Sequence, residues 1–174
     1  ESPLTAPAAN VDRAIPMVTT ESARIRQGMN LSPWDRRDAN VKVMSYATPF
    51  TVGLADTDAL GVAYHPYALQ LAQRNLESWL DSLGLPLAEI INNQAWALPV
   101  VRVELDWHQP LHLGTQGETR LIDVQPGSKS LTLTHAIQVG DQKAATVKVV
   151  HACLDRTTGQ SMILPTMLTE ALPS

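Results

Sequence analysis

The stretch PYALQLAQRNLESWLDSLG, residues 66–84, decides how this chain folds. Leu69, Ala72, Leu76, Trp79 or Leu80, and Leu83 recur every three or four positions, the spacing of one helix face. Pro66 stands where a first helical turn tolerates a missing N–H. Gly84 is a natural stop. So complete an apolar stripe predicts a helix largely wrapped by a sheet.

The flanking sequence supplies that sheet. Upstream, Phe50, Val52 and Leu54 alternate with Thr51 and Gly53, which predicts a strand. Downstream, residues 85–93 suit a second short helix. Val101, Val103, Leu105 and Trp107 then alternate with Arg102, Glu104 and Asp106, up to the break at Pro110 and Gly114. Arg120, Ile122 and Val124 form the next alternation, and Pro126-Gly127-Ser128 a turn. Leu131, Leu133, His135, Ile137 and Val139 share one face. After the Gly140-Asp141 turn, so do Ala145, Val147, Val149, His151 and Cys153. One strand, one long helix and four strands on short turns predict an α+β fold, a five-stranded antiparallel sheet around a helix. One helix cannot cover both faces, so a second copy is expected: a homodimer or homotetramer.

Residues 1–45 read differently. Pro3, Pro7, Pro16 and Pro33 punctuate them, and their apolar residues lack a period. They are expected to form an irregular arm, with Trp34 a candidate contact to a neighbouring subunit, and residues 46–174 to form the domain.

Composition excludes several classes. A net charge of −4 offers nucleic acid no electrostatic grip. No apolar run approaches the roughly 18 residues of a membrane span. Cys153 is the single cysteine, so no disulfide framework exists and a reducing cytoplasm is the expected location. The chain start lacks the basic and apolar regions of a signal peptide, in line with that expectation.

Chemistry concentrates in residues 55–67, ADTDALGVAYHPY. Asp58 lies seven or eight residues before the predicted helix start. Amides at such a start are unpaired and carry the positive end of the helix dipole. They can polarise a thioester carbonyl and hold the oxyanion that forms. A facing carboxylate can attack that carbonyl or activate water. Asp, Thr and Gly are also ordinary turn residues, so a purely structural role stands beside the catalytic one. The thiolate leaves readily, so no metal or cofactor is expected. His108 and His112 have metal-ligand spacing, but Pro110 between them opposes a helix. His135 and His151 fall on inward faces and read as core histidines, and Cys153 as a small buried hydrophobe. Arg102 reads either as a surface residue or as a lining of an acyl tunnel.

The stretch from Asp58 resembles the signature of the 4-hydroxybenzoyl-CoA thioesterase branch of the hotdog superfamily. Asp58, Gly61, Val62 and Tyr64 occupy the signature's Asp, Gly, apolar and aromatic places. The Ala-Asp-Thr-Asp of residues 55–58 is similar to 1,4-dihydroxy-2-naphthoyl-CoA thioesterases and to the acyl-CoA thioesterases associated with the Tol–Pal cluster. The resemblance extends to about residue 165 through Leu98-Pro99-Val100, Ser128-Lys129-Ser130-Leu131 and Asp155-Arg156-Thr157-Thr158-Gly159. It implies a hotdog fold and hydrolysis of an acyl-CoA thioester. Asp58 would be nucleophile or general base, and the His65 backbone N–H would polarise the carbonyl. Gly61 and Tyr64 would contact substrate, and Lys129 and Ser130 would lie near the CoA phosphates. In 1,4-dihydroxy-2-naphthoyl-CoA thioesterases a Glu occurs near the position of Glu77, which implies a catalytic role there, beside the alternative of a residue on a solvated helix face. This chain has Gly127-Ser128 ahead of Lys129, where relatives carry further basic residues. An aromatic acyl-CoA is the expected substrate. The alternatives are a short or medium aliphatic acyl-CoA, or non-catalytic binding of acyl-CoA or acyl carrier protein.

Overall fold

A computed structural model describes residues 46–172. The expected arm and Trp34 therefore lie outside the described residues. Strand β1 (Tyr46–Thr51) leads through a 3-10 turn (Leu54–Asp56) into helix α1 (His65–Ser82). Helix α2 (Leu87–Asn93), β2 (Trp96–Ala97) and β3 (Val100–Trp107) follow. Then come β4 (Gln116–Pro126), β5 (Ser130–Val139), β6 (Gln142–Ala152), β7 (Leu154–Asp155) and α3 (Thr166–Ala171). Five strands form an antiparallel sheet in the order β1-β4-β5-β6-β3, and β2 pairs with β7 apart from it.

Helix α1 packs against this sheet with a face rotated from the expected one. Its buried residues are Tyr67, Ala68, Leu71, Ala72, Asn75, Leu76, Trp79 and Leu80. Leu69 and Leu83 are only half-buried. The stripe reading passed over Asn75 because it is polar. Here Asn75 is fully buried and bonded to Thr48, Thr119 and His135, so its polarity is satisfied. Phe50 and Tyr67 meet edge to face, with ring centroids 6.3 Å apart.

Two strands also depart from the expected pattern. The first strand ends at Thr51, and Leu54 is exposed in the 3-10 turn. On β4 the buried residues are Thr119 and Leu121, rather than the series Arg120, Ile122, Val124. The register shifts between Leu121 and Asp123, and an extra residue flips the inward parity there. That is how Leu121 and the later Val124 reach the same apolar cluster. Strands β5 and β6 bury the faces expected of them from Leu131 to Ile137 and from Ala145 to His151, while Val139 is only half-buried and the buried Cys153 lies one residue past β6.

At the sheet's edge, β3 has one neighbour among the described residues, β6. Val100, Val101 and Val103 on it are exposed. No described helix is long and apolar enough to cross a membrane.

Candidate active site

Asp58 lies in a connection that folds back on itself. Thr57 bridges Ala63 in antiparallel fashion. The Asp58 N–H donates to Val62 O at 2.9 Å, and the Gly61 N–H to Asp58 O at 3.0 Å. Gly61 closes the turn at φ +71°, a left-handed conformation that glycine adopts without a Cβ penalty. The carboxylate completes the turn, with Oδ1 accepting from Leu60 N–H at 2.8 Å and from Val62 N–H at 3.3 Å. The Asp58 side chain therefore has a structural role in the turn. Oδ2 has no protein donor among the described residues, and the side chain is exposed. Leu60 beside it is 84% exposed.

The same fold-back delivers the chain to α1. Val62 bridges His112, and Leu113 N–H donates to Gly61 O at 3.0 Å, so the β3–β4 connection pins the turn. Tyr64 is the N-cap, and its N–H donates to Asp56 O at 3.1 Å. Asp56 is held in turn by Gly53 N–H at Oδ2, 2.8 Å away. Pro66 has no N–H, and Tyr67 N–H donates to Tyr64 O at 2.9 Å. Of the first-turn donors this leaves the His65 N–H without a protein acceptor among the described residues. The His65 side chain is exposed.

The other candidates lie elsewhere on the chain. Glu77 is exposed about three turns along α1 from His65, and accepts from Gln73 Nε2 at 2.9 Å. Lys129 and Ser130 occupy the β4–β5 turn, where Gly127 N–H donates to Ser130 O at 2.7 Å. That turn is at the opposite end of β4 from the Asp58 loop, roughly 35 Å away along the strand. One chain thus sets Asp58 and Gly61 in a single turn that runs directly into the Tyr64–His65 start of α1. It does not bring Glu77, Lys129 or Ser130 to them.

A cavity of about 530 Å³ opens between α1 and strands β3, β5 and β6. Leu69, Leu76, Val103 and Val149 give it apolar walls, and Glu77, His135 and His151 also line it. Alternation along β5 and β6 placed both histidines inward. That the inward face meets a cavity was not legible, because it depends on what α1 and β3 leave unfilled. His135 Nδ1 lies 2.9 Å from Asn75 Oδ1, and His151 Nδ1 lies 2.9 Å from Leu98 O. Burial lowers the pKa of both rings, that of His135 to about 4, with His151 nearby adding to the effect. A second cavity, about 570 Å³, lies beside Phe50, Glu118 and Arg120 and holds none of the expected site residues.

Burial raises the Cys153 thiol pKa, so the sulfur is a packed group and a poor nucleophile. Arg102 pairs with Glu104 at 2.7 Å on the exposed edge strand. His108 Nε2 lies 3.0 Å from Thr146 Oγ1, and His112 is exposed. The described residues hold no group of three His, Cys, Asp or Glu side chains placed for a metal.

Comparison with known proteins adds to this geometry. A family profile described as the thioesterase-like superfamily matches residues 52–172. The chain is 30% identical over 125 residues to a 1,4-dihydroxy-2-naphthoyl-CoA hydrolase of Gloeothece citriformis, covering 70% of this chain and 87% of that protein. It is 28% identical over 122 residues to the like-named hydrolase of Synechococcus elongatus, covering 70% and 90%. A solved 1,4-dihydroxy-2-naphthoyl-CoA thioesterase from Synechocystis superposes with a TM-score of 0.68 at 28% identity, covering 74% and 95%. A Staphylococcus aureus protein solved in complex with CoA has a TM-score of 0.67 at 19% identity, covering 74% and 82%, a likeness of fold alone.

Proposed function

The chain belongs to the thioesterase-like superfamily, and from that premise we propose that it hydrolyses an aromatic acyl-CoA thioester of the 1,4-dihydroxy-2-naphthoyl type, with Asp58 as its catalytic carboxylate. The carrying observation is the pinning of Asp56–Asp58 against Val62–Tyr64, one bridge away from a helix start whose His65 N–H has no acceptor among the described residues. In this reading the thioester carbonyl oxygen accepts that N–H, and the positive end of α1 stabilises the oxyanion. Asp58 then attacks the carbonyl carbon, giving an acyl-aspartyl anhydride that a water molecule cleaves to free the acid and restore the carboxylate, or it deprotonates a water that attacks directly; in either case the C–S bond breaks and CoA leaves as the thiolate. Gly61 keeps the turn clear of the ligand and Tyr64 caps the helix beside it.

The reading needs two copies. Pairing through the free side of β3 would cover Val101 and Val103 and close the open side of the cavity that Val103 lines. An antiparallel two-fold pairing there sets the Lys129 end of one copy on the same side as the Asp58 end of the other. On this arrangement Lys129 and Ser130 serve the CoA end of the partner's site. Glu77 bounds the acyl cavity and acts on the substrate from there. With its one cysteine buried and unpaired, the domain suits a reducing, cytoplasmic setting.

Free-thiol release from a panel of CoA esters tests the proposal. Aromatic esters should turn over fastest, and Asp58→Asn should lose at least about 100-fold in kcat. Asn keeps the Oδ1 acceptor of the turn, so Tm should hold. Wild-type turnover by that variant would overturn the assigned chemistry. Fastest turnover of aliphatic esters would move the substrate, and tight binding without thiol release would favour a binding protein.

A further inference from the structure

The two histidines in the cavity have settled hydrogen-bonding roles. Asn75 Nδ2 donates to Thr119 O at 3.0 Å and to Thr48 Oγ1 at 3.1 Å. A backbone carbonyl only accepts, so the Asn75 oxygen must be the atom facing His135. His135 Nδ1 therefore carries the hydrogen. Likewise Leu98 O only accepts, so His151 Nδ1 carries the hydrogen there. Both rings are buried, 1% and 3% exposed, and burial disfavours their charged forms. Each is thus a neutral imidazole whose Nε2 is a bare acceptor. Neither Nε2 has a partner among the described residues, and both rings line the cavity.

We propose that His135 and His151 are specificity-determining residues of the acyl pocket, accepting hydrogen bonds at Nε2 from phenolic hydroxyls on the acyl ring. The proposal rests on the thioesterase reading above and narrows its substrate to hydroxylated aromatic acyl groups. The cavity wall begins at Leu69, one turn beyond the helix start that would hold the thioester carbonyl, and runs to Glu77. That span is about 12 Å along α1, so a ring attached to the carbonyl extends toward the histidines. A hydroxyl there satisfies a buried acceptor. A bare ring or an alkyl chain leaves it unpaired, and a methyl ether sets lone pair against lone pair. Sites that pair a substrate hydroxyl discriminate strongly against analogues lacking it.

The test compares 1,4-dihydroxy-2-naphthoyl-CoA, its 4-methoxy analogue and 2-naphthoyl-CoA by thiol release. Wild-type protein should favour the dihydroxy ester by at least about 100-fold in kcat/KM over either analogue. His151→Phe and His135→Phe should cut that preference below about tenfold, read as the ratio of kcat/KM values among the three esters within each variant. Should a variant fail to fold, ¹⁵N NMR of the wild type decides. Both Nε2 resonances should shift on adding 1,4-dihydroxy-2-naphthoate and stay put with 2-naphthoate. Turnover of all three esters at similar kcat/KM, or unmoved Nε2 resonances, overturns the histidine assignment alone. Turnover of none overturns the aromatic-substrate reading, and this one with it.

Discussion

Asn75 on α1 presents its amide oxygen to His135 Nδ1 on β5 at 2.9 Å, with both side chains buried. The Asn75 amide nitrogen reaches Thr119 O on β4 and the Thr48 hydroxyl on β1. One side chain therefore ties the helix to three strands. Asn75→Leu should remove all three bonds while keeping the branching and heavy-atom count, leaving the Nδ1–H of His135 buried and unpaired. The expected loss is about 2–4 kcal/mol, read from urea unfolding with an unchanged m value. A loss under about 0.5 kcal/mol would mean that the bonds do not hold the helix.

Acid should act on the same cluster. The folded-state pKa of His135, about 4, lies below the ordinary 6.5. Between those values the unfolded chain binds the proton that the folded chain refuses. Stability is therefore whole above pH 6.5 and erodes as pH falls towards 4, by on the order of 3 kcal/mol for this ring. His151 is lowered for the same reason and adds to the loss. Asp155 is also lowered, by the Thr158 and Thr157 hydrogen bonds, but from 3.8, so its loss falls below this window. Denaturant midpoints between pH 4.5 and 7.5 should fall with acid, and fall less steeply in His135→Leu. Parallel slopes would assign the acid loss to other groups.

Edge strand β3 should be an interface. Val101 is 61% exposed on a strand whose outer side has no partner among the described residues. Val101→Asp with Val103→Asp places four like charges across a two-fold strand pair, enough to oppose association. Sedimentation equilibrium should show a dimer for wild type and a monomer for the double variant, with far-UV circular dichroism preserved. An unchanged mass would place the interface elsewhere.

Legibility in the sequence followed locality. The alternations on β5 and β6 depend on one strand each, and the structure buries those faces. The turn at Asp58–Gly61 was legible because its residues and the helix start are contiguous. The rotation of α1 was hidden because Asn75 is satisfied by residues 27, 44 and 60 positions away. The β4 shift was hidden because a one-residue bulge leaves no mark in composition. Pairing of Trp96 with Asp155 joins segments too short to show a period. The separation of Lys129 from Asp58 follows from topology, and a residue-by-residue resemblance carries none.

Gly61 tests whether the turn's shape matters apart from its charge. At φ +71° a Cβ meets no atom within 4 Å, so a substitution there brings strain without a clash. Gly61→Ala should cost about 1 kcal/mol, from the left-handed backbone alone. Asn tolerates that region better, so Gly61→Asn should lose less. Relaxation of the strain would tilt the Asp58–Val62 hydrogen bond and the Gly61 O to Leu113 N–H bond together, because both converge on this residue's neighbours. Activity should therefore fall further in Gly61→Ala than in Gly61→Asn, by about tenfold, with KM moving less than kcat. That order separates a geometric role from a steric one. If ligand clearance alone mattered, the larger Asn would be the worse variant, and its kcat/KM would drop below that of Ala.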